Sequence, residues 1–216
     1  MSEIKSVDIG LEDVTLKGDL NMGEKSKGIV VFAHGSGSSR FSPRNRQVAE
    51  RLNKDGQTTL LMDLLTEKEE KKDILTASYR FDIHLLAERV QKTLRWVKSK
   101  DEIHNLPIGL FGSSTGAAAA IIAASKSQEI VRAVVSRGGR VDLAENYLQN
   151  LKAPTILIVG ELDYTVLNLN REAFEAIRVK KRLAVVPGAT HLFEEPGALE
   201  KVADIAAEWF NEHLKV

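Results

Sequence analysis

Six short runs of nearly continuous apolar residues mark the chain: residues 28–34 (GIVVFAH), 58–63 (TTLLMD), 106–112 (LPIGLFG), 131–137 (VRAVVSR), 154–160 (PTILIVG) and 182–188 (RLAVVPG). A strand with one wet face alternates apolar and polar residues. These runs do not, so each must be buried on both faces, as in a parallel sheet covered by helices. Between them apolar residues recur at helical spacing. Residues 80–100 place Ile83, Leu86, Ala87, Val90, Leu94 and Val97 on one stripe, and Val202, Ile205, Ala206 and Trp209 repeat the pattern in the last helix. Residues 7–20 read instead as an antiparallel pair of strands at one edge. This alternation predicts a three-layer α/β domain with a mostly parallel sheet. No internal repeat and no Pro/Gly-rich linker divides the 216 residues, so a single domain over residues 1–216 is expected. The charged stretch EKEEKKD (67–73) reads as a solvated loop or helix start. No inserted block is long enough for a cap domain, which predicts an open site.

Composition removes several function classes. With 43% hydrophobic and 28% charged residues the chain reads as an ordinary soluble globular protein. Its formal net charge is zero, so no bulk field favours nucleic acid or an anionic membrane as a partner. The lack of cysteine excludes disulfides, thiolate metal sites and a cysteine nucleophile, and suits a reducing cytoplasm. The opening MSEIKSVDIG has no basic segment followed by an apolar core, and no apolar run reaches the ~18 residues of a membrane span. A cytoplasmic location is the expectation.

The chemistry is carried by Gly112-Ser113-Ser114-Thr115-Gly116, a G-x-S-x-G that follows a strand and opens an alanine-rich helix. That context is what a nucleophile elbow requires. The turn is so tight that residues two before and two after the nucleophile must lack bulk. With Ser114 central both are glycine; with Ser113 central they would be Phe111 and Thr115, so the register selects Ser114. Ala117 and Ala118 let the helix sit close to the sheet, and its N-terminus directs positive dipole at the site. A Gly/Ser turn with only a structural purpose would read similarly, so the partners decide. A serine hydroxyl needs a histidine to take its proton and an acid to orient that histidine. Asp163 lies three residues beyond Gly160, past the end of a predicted strand, and His191 lies in the same position relative to the next. The order Ser114, Asp163, His191 is that of α/β-hydrolases.

The loop after His34-Gly35 can offer backbone N–H groups, so the Ser36 and Thr115 amides are the candidate oxyanion donors. His34 is expected to pack beneath that hole as a structural residue. His84, His104 and His213 lie in or near helices without metal-ligand spacing, so no metal is expected. Phosphate-loop and dinucleotide fingerprints are absent.

Through HGSGSSRFSPRN, GSSTG, GELD and GATHLF, nearly the whole chain resembles the α/β-hydrolase superfamily, most closely its compact dienelactone-hydrolase-like branch. The resemblance implies an eight-stranded, mostly parallel sheet and acyl transfer through a covalent intermediate, with no cofactor. Dienelactone hydrolases proper use a cysteine nucleophile. Serine here favours a general carboxylester or thioester hydrolase acting on a small-molecule ester. A peptidase, or a hydrolase scaffold kept as a binding module, stays open, as does a homo-oligomeric state.

Arginines gather at the same strand ends. Arg40, Arg44 and Arg46 follow the oxyanion loop, and Arg137 and Arg140 follow a later strand. Strand carboxyl ends define the ligand crevice of an open α/β sheet, and guanidinium groups suit carboxylate or phosphate. Arg40 and Arg137 are therefore candidate substrate ligands for an anionic ester or lactone. Ser42 and Pro43 read as a helix start that would turn Arg44 and Arg46 into water. Asp142 and Glu161 are candidate acids for Arg137.

Overall fold

The computed structural model describes residues 4–23 and 26–215. Strands β1 (Ile4–Gly10) and β2 (Thr15–Asn21) form the antiparallel edge pair. β3 (Ile29–Ala33), β4 (Thr58–Met62), β5 (Ile108–Ser113), β6 (Val131–Arg137), β7 (Thr155–Gly160) and β8 (Lys181–Val186) follow the six apolar runs. They make one eight-stranded sheet in the order β1-β2-β4-β3-β5-β6-β7-β8. β2 meets β4 antiparallel and every later pairing is parallel. β3, β4, β5 and β7 are buried along their whole length, which is why their sequences do not alternate.

Helices close both faces. α1 (Pro43–Lys54) and α7 (Ala198–His213) cover one, in a core that includes Phe32, Phe111, Val135, Ile158 and Trp209. α3 (Ile83–Lys98) and α4 (Thr115–Lys126) cover the other, burying Val31, Leu94, Leu110 and Ile121. α6 (Tyr164–Ala176) sets Val166 and Leu167 against Val159. A short 3-10 turn (Val141–Ala144) and α5 (Glu145–Leu148) lead into β7. This is the three-layer α/β-hydrolase arrangement, and no separate cap covers it among the described residues.

The charged run becomes α2 (Glu67–Thr76). Thr66 and Glu69 form a capping box: the Glu69 amide donates to Thr66 Oγ1 at 3.2 Å and the Thr66 amide donates to Glu69 Oε2 at 2.8 Å. The Ser42 side chain caps α1 with Pro43 in its first turn. No helix among the described residues is long and apolar enough to cross a membrane.

Candidate active site

β5 runs into α4 through Ser114, whose φ of 50° and ψ of −122° are forced on a residue with a side chain. Such strain persists only where the surroundings over-determine it. The two glycines make the turn possible. A Cβ on Gly112 would collide with Ala117, and one on Gly116 would collide with the carbonyl oxygens of Ala33 and His34. Ser114 is anchored by its backbone on the segment after β6: its amide donates to the Arg137 carbonyl at 3.1 Å, and the Arg140 amide donates to its carbonyl at 3.0 Å.

Asp163 and His191 come from neighbouring loops that are laced together. The Glu161 amide donates to the Val186 carbonyl at 3.0 Å and the Leu162 amide to the Ala189 carbonyl at 2.9 Å. Gly160 permits this approach, because a Cβ there would strike the Ala189 and Thr190 carbonyls. His191 Nδ1 and Asp163 Oδ2 lie 2.6 Å apart. Asp163 is also the N-cap of α6, a position where an aspartate normally accepts from the helix's first amides. Its side chain makes no such bond. The carboxylate goes to His191 instead.

Gly138, at φ 52°, lets the segment after β6 lie against the imidazole; a Cβ there would stand 3.4 Å from His191 Cε1. The stretch that holds Ser114 therefore also touches His191. No hydrogen bond joins Ser114 Oγ to His191 among the described residues, a looseness common in unliganded sites.

On the other side, Gly35 lies against Ser114, where a Cβ would sit 3.1 Å from Ser114 Cβ. His34 fixes this loop from below. Its Nε2 accepts from the Leu64 amide at 3.1 Å, so Nδ1 carries the proton and donates to the Gly35 carbonyl at 2.9 Å. Burial pushes the His34 pKa down, in keeping with that neutral ring. Ser36 and Thr115 are brought together: the Ser36 amide donates to Thr115 Oγ1 at 2.9 Å. The Thr115 amide opens α4, where no intrahelical acceptor exists.

The arginines divide. Arg40 is committed to structure: its guanidinium pairs with Asp63 and lies 3.5 Å from Asp19, and its amide donates to Asp63 Oδ1 at 2.7 Å. Asp19 also binds Arg46 at 2.9 Å, so Arg46 does not simply point into water. Arg44 meets Glu194 at 3.1 Å. Arg137 pairs with neither Asp142 nor Glu161. Asp142 binds Arg140, and Glu161 accepts from the Gly188 amide. Asn170 carries no motif, yet its Nδ2 donates to the Gly139 carbonyl at 2.9 Å. Among the described residues no group of three or more His, Cys, Asp or Glu could hold a metal.

Residues 15–215 match the family model of the dienelactone hydrolase family. The chain belongs to that family. A dienelactone hydrolase from Anabaena variabilis is 50% identical over 99% of both chains and superposes with a TM-score of 0.98. An esterase from Pyrococcus furiosus shares the fold at 22% identity, covering 99% of this chain and 94% of its own, with a TM-score of 0.82. Proteins from two Mycobacterium tuberculosis strains, provisionally named phosphoribosyl transferases, are 54% identical over 93% of this chain. The chain spans only 44% of the length of those relatives. Within the dienelactone hydrolase family, this member carries serine at the centre of its elbow.

Proposed function

We propose that the protein is a serine hydrolase of small carboxylic esters, acting without a cofactor and without a nucleic-acid or membrane partner. One observation carries the reading: Asp163 forgoes its helix cap and gives its carboxylate to His191, 2.6 Å away. Capping a helix is worth about 1 kcal/mol, so its loss at a position chosen for capping points to another use of the acid.

In this reading Ser114 Oγ attacks the ester carbonyl while His191 Nε2 takes its proton. Asp163 holds the Nδ1–H tautomer and stabilises the imidazolium that forms. The negative oxygen of the tetrahedral intermediate takes the Thr115 amide, and the Ser36 amide turns to it from Thr115 Oγ1. His191 returns the proton to the leaving alcohol, leaving an acyl group on Ser114. Water, deprotonated by His191, then attacks the acyl carbonyl, and His191 returns that proton to Ser114 Oγ as its bond to the acyl group breaks and the acid leaves.

A phosphoribosyl transferase role is not supported by the residues described above, and that name belongs to relatives of which this chain spans under half. A panel of oxygen esters, thioesters and peptides, varied in acyl length and charge, tests the reading. Turnover of oxygen esters is expected, with Ser114→Ala and His191→Ala losing about 10⁴-fold or more in kcat and Asp163→Asn somewhat less. Turnover by wild type restricted to thioesters or peptides would replace it. No turnover of any of them would leave a silent binding scaffold.

A further inference from the structure

The face of the sheet covered by α1 and α7 carries a cation without a counterion. Arg137 ends β6, paired in register with Ser113, and its guanidinium carbon lies 6.0 Å from the centre of the Phe111 ring. The residue is 8% exposed, and its Nη1 is buried without an acceptor. No ion pair reaches it from any described residue. Its charged neighbour is a like one, Arg44 near the start of α1. Burial and that neighbour pull the Arg137 guanidinium down to about 10, so it is still a cation at neutral pH. Arg44 Nε is also buried without a partner, and its Nη1 meets only Glu194, whose side chain is 64% exposed.

A buried cation without a partner is destabilising, and Arg44 beside it, partly exposed and paired with Glu194, adds repulsion. The chain keeps Arg137 beside the nucleophile, since the Arg137 carbonyl accepts from the Ser114 amide. Groups retained at such a cost to the fold are a signature of function.

We propose that Arg137 and Arg44 form a subsite for a phosphate monoester group carried by the ester substrate. The proposal rests on the esterase reading above and names its substrate class. One guanidinium fork satisfies a carboxylate. Two guanidinium groups from separate elements, each with an unpartnered N–H, match a nearly dianionic group with three terminal oxygens. The N-terminus of α1 adds positive potential on the same side.

The far side of the oxyanion loop suits the other limb of the substrate. There a cleft of about 330 Å³ is lined by Leu64, Leu65, Ile74 and Leu86. Its charged residues are Glu70 and the paired Asp73 and Arg80, so it has no free cation. An uncharged acyl or alcohol group fits that cleft.

The test uses three aryl esters matched except for a neutral, a carboxylate or a phosphate substituent, with inorganic phosphate as a separate binding probe. Wild type should favour the phosphate ester over the neutral one by about tenfold or more in kcat/KM. Arg137→Gln and Arg44→Gln should each cut that ratio about tenfold or more, with Arg137→Lys intermediate. Inorganic phosphate should raise the Tm of wild type and not that of Arg137→Gln. If Arg137→Gln does not fold, Arg44→Gln and Arg137→Lys carry both comparisons. Equal losses on all three esters, a preference for the carboxylate ester, or no phosphate-dependent Tm shift in wild type would each overturn the proposal. Failure of wild type to cleave any ester would sink the esterase reading instead, with the Tm shift still deciding whether the subsite exists.

Discussion

The side-chain amide of Asn170 donates to the carbonyl of Gly139 at 2.9 Å. Asn170 is fully buried and sits on α6, the helix that starts at Asp163. Gly139 belongs to the segment that binds Ser114 through the backbone and rests on His191. One side chain thus ties the helix that starts at Asp163 to the loop that lies between Ser114 and His191. Asn170 is a positioning residue in this account. Asn170→Leu removes the bond, leaves the Gly139 carbonyl without its donor and should cost about 1–3 kcal/mol in urea unfolding. In the fraction that remains folded, kcat should fall while KM changes little. An unchanged kcat in correctly folded Asn170→Leu would show that the bond serves stability alone.

The elbow glycines make a second, sharper prediction. A methyl group at Gly116 meets two backbone carbonyls that cannot swing away, so Gly116→Ala should be among the most damaging single changes, beyond about 3 kcal/mol. Gly188 is the control. It has φ 68° but open space around its Cβ position, so Gly188→Ala should cost only the left-handed strain of about 1–2 kcal/mol. Equal unfolding midpoints for the two variants would contradict the packing described at the elbow.

His34 links stability to pH. Its folded pKa lies below the ordinary 6.5, because burial disfavours the imidazolium. Below about pH 6.5 the unfolded chain therefore binds a proton that the folded chain refuses, and stability falls as the pH drops. The slope from this group is at most about 1.4 kcal/mol per pH unit, and its contribution is flat above pH 6.5. Urea unfolding of wild type and His34→Gln between about pH 7.5 and pH 5 measures the difference. Identical slopes in the two proteins would mean that His34 does take up a proton in the folded state.

Much of this was readable from the chain. Apolar runs without alternation located the central strands to within a residue or two, because burial on both faces leaves a direct mark on sequence. The glycine spacing around Ser114 fixed the register of the turn, since only a residue without Cβ can stand where Gly112 and Gly116 stand. Asp163 and His191 could be placed just past adjacent strand ends, because each stands three residues beyond a glycine that closes an apolar run. Arg40 was less legible. Its partners Asp19 and Asp63 are distant in the chain and become neighbours only through the strand order β2-β4-β3, which no local pattern encodes. Asn170 carried no signal, because a single polar residue inside a helix looks like any solvent-facing one. The bond between Ser36 and Thr115 was hidden in the same way: each amide reads as a donor to a substrate, and no local pattern shows that the Ser36 amide donates to the Thr115 hydroxyl.

The central claim is that Ser114, and not its neighbour Ser113, is the activated nucleophile. Treatment with a fluorophosphonate, followed by peptide mass mapping, asks this without knowledge of the substrate. Stoichiometric modification of Ser114 is expected in wild type and in Ser113→Ala, and none in Ser114→Ala or His191→Ala. Modification at Ser113, or no modification of the folded wild-type protein, would contradict it.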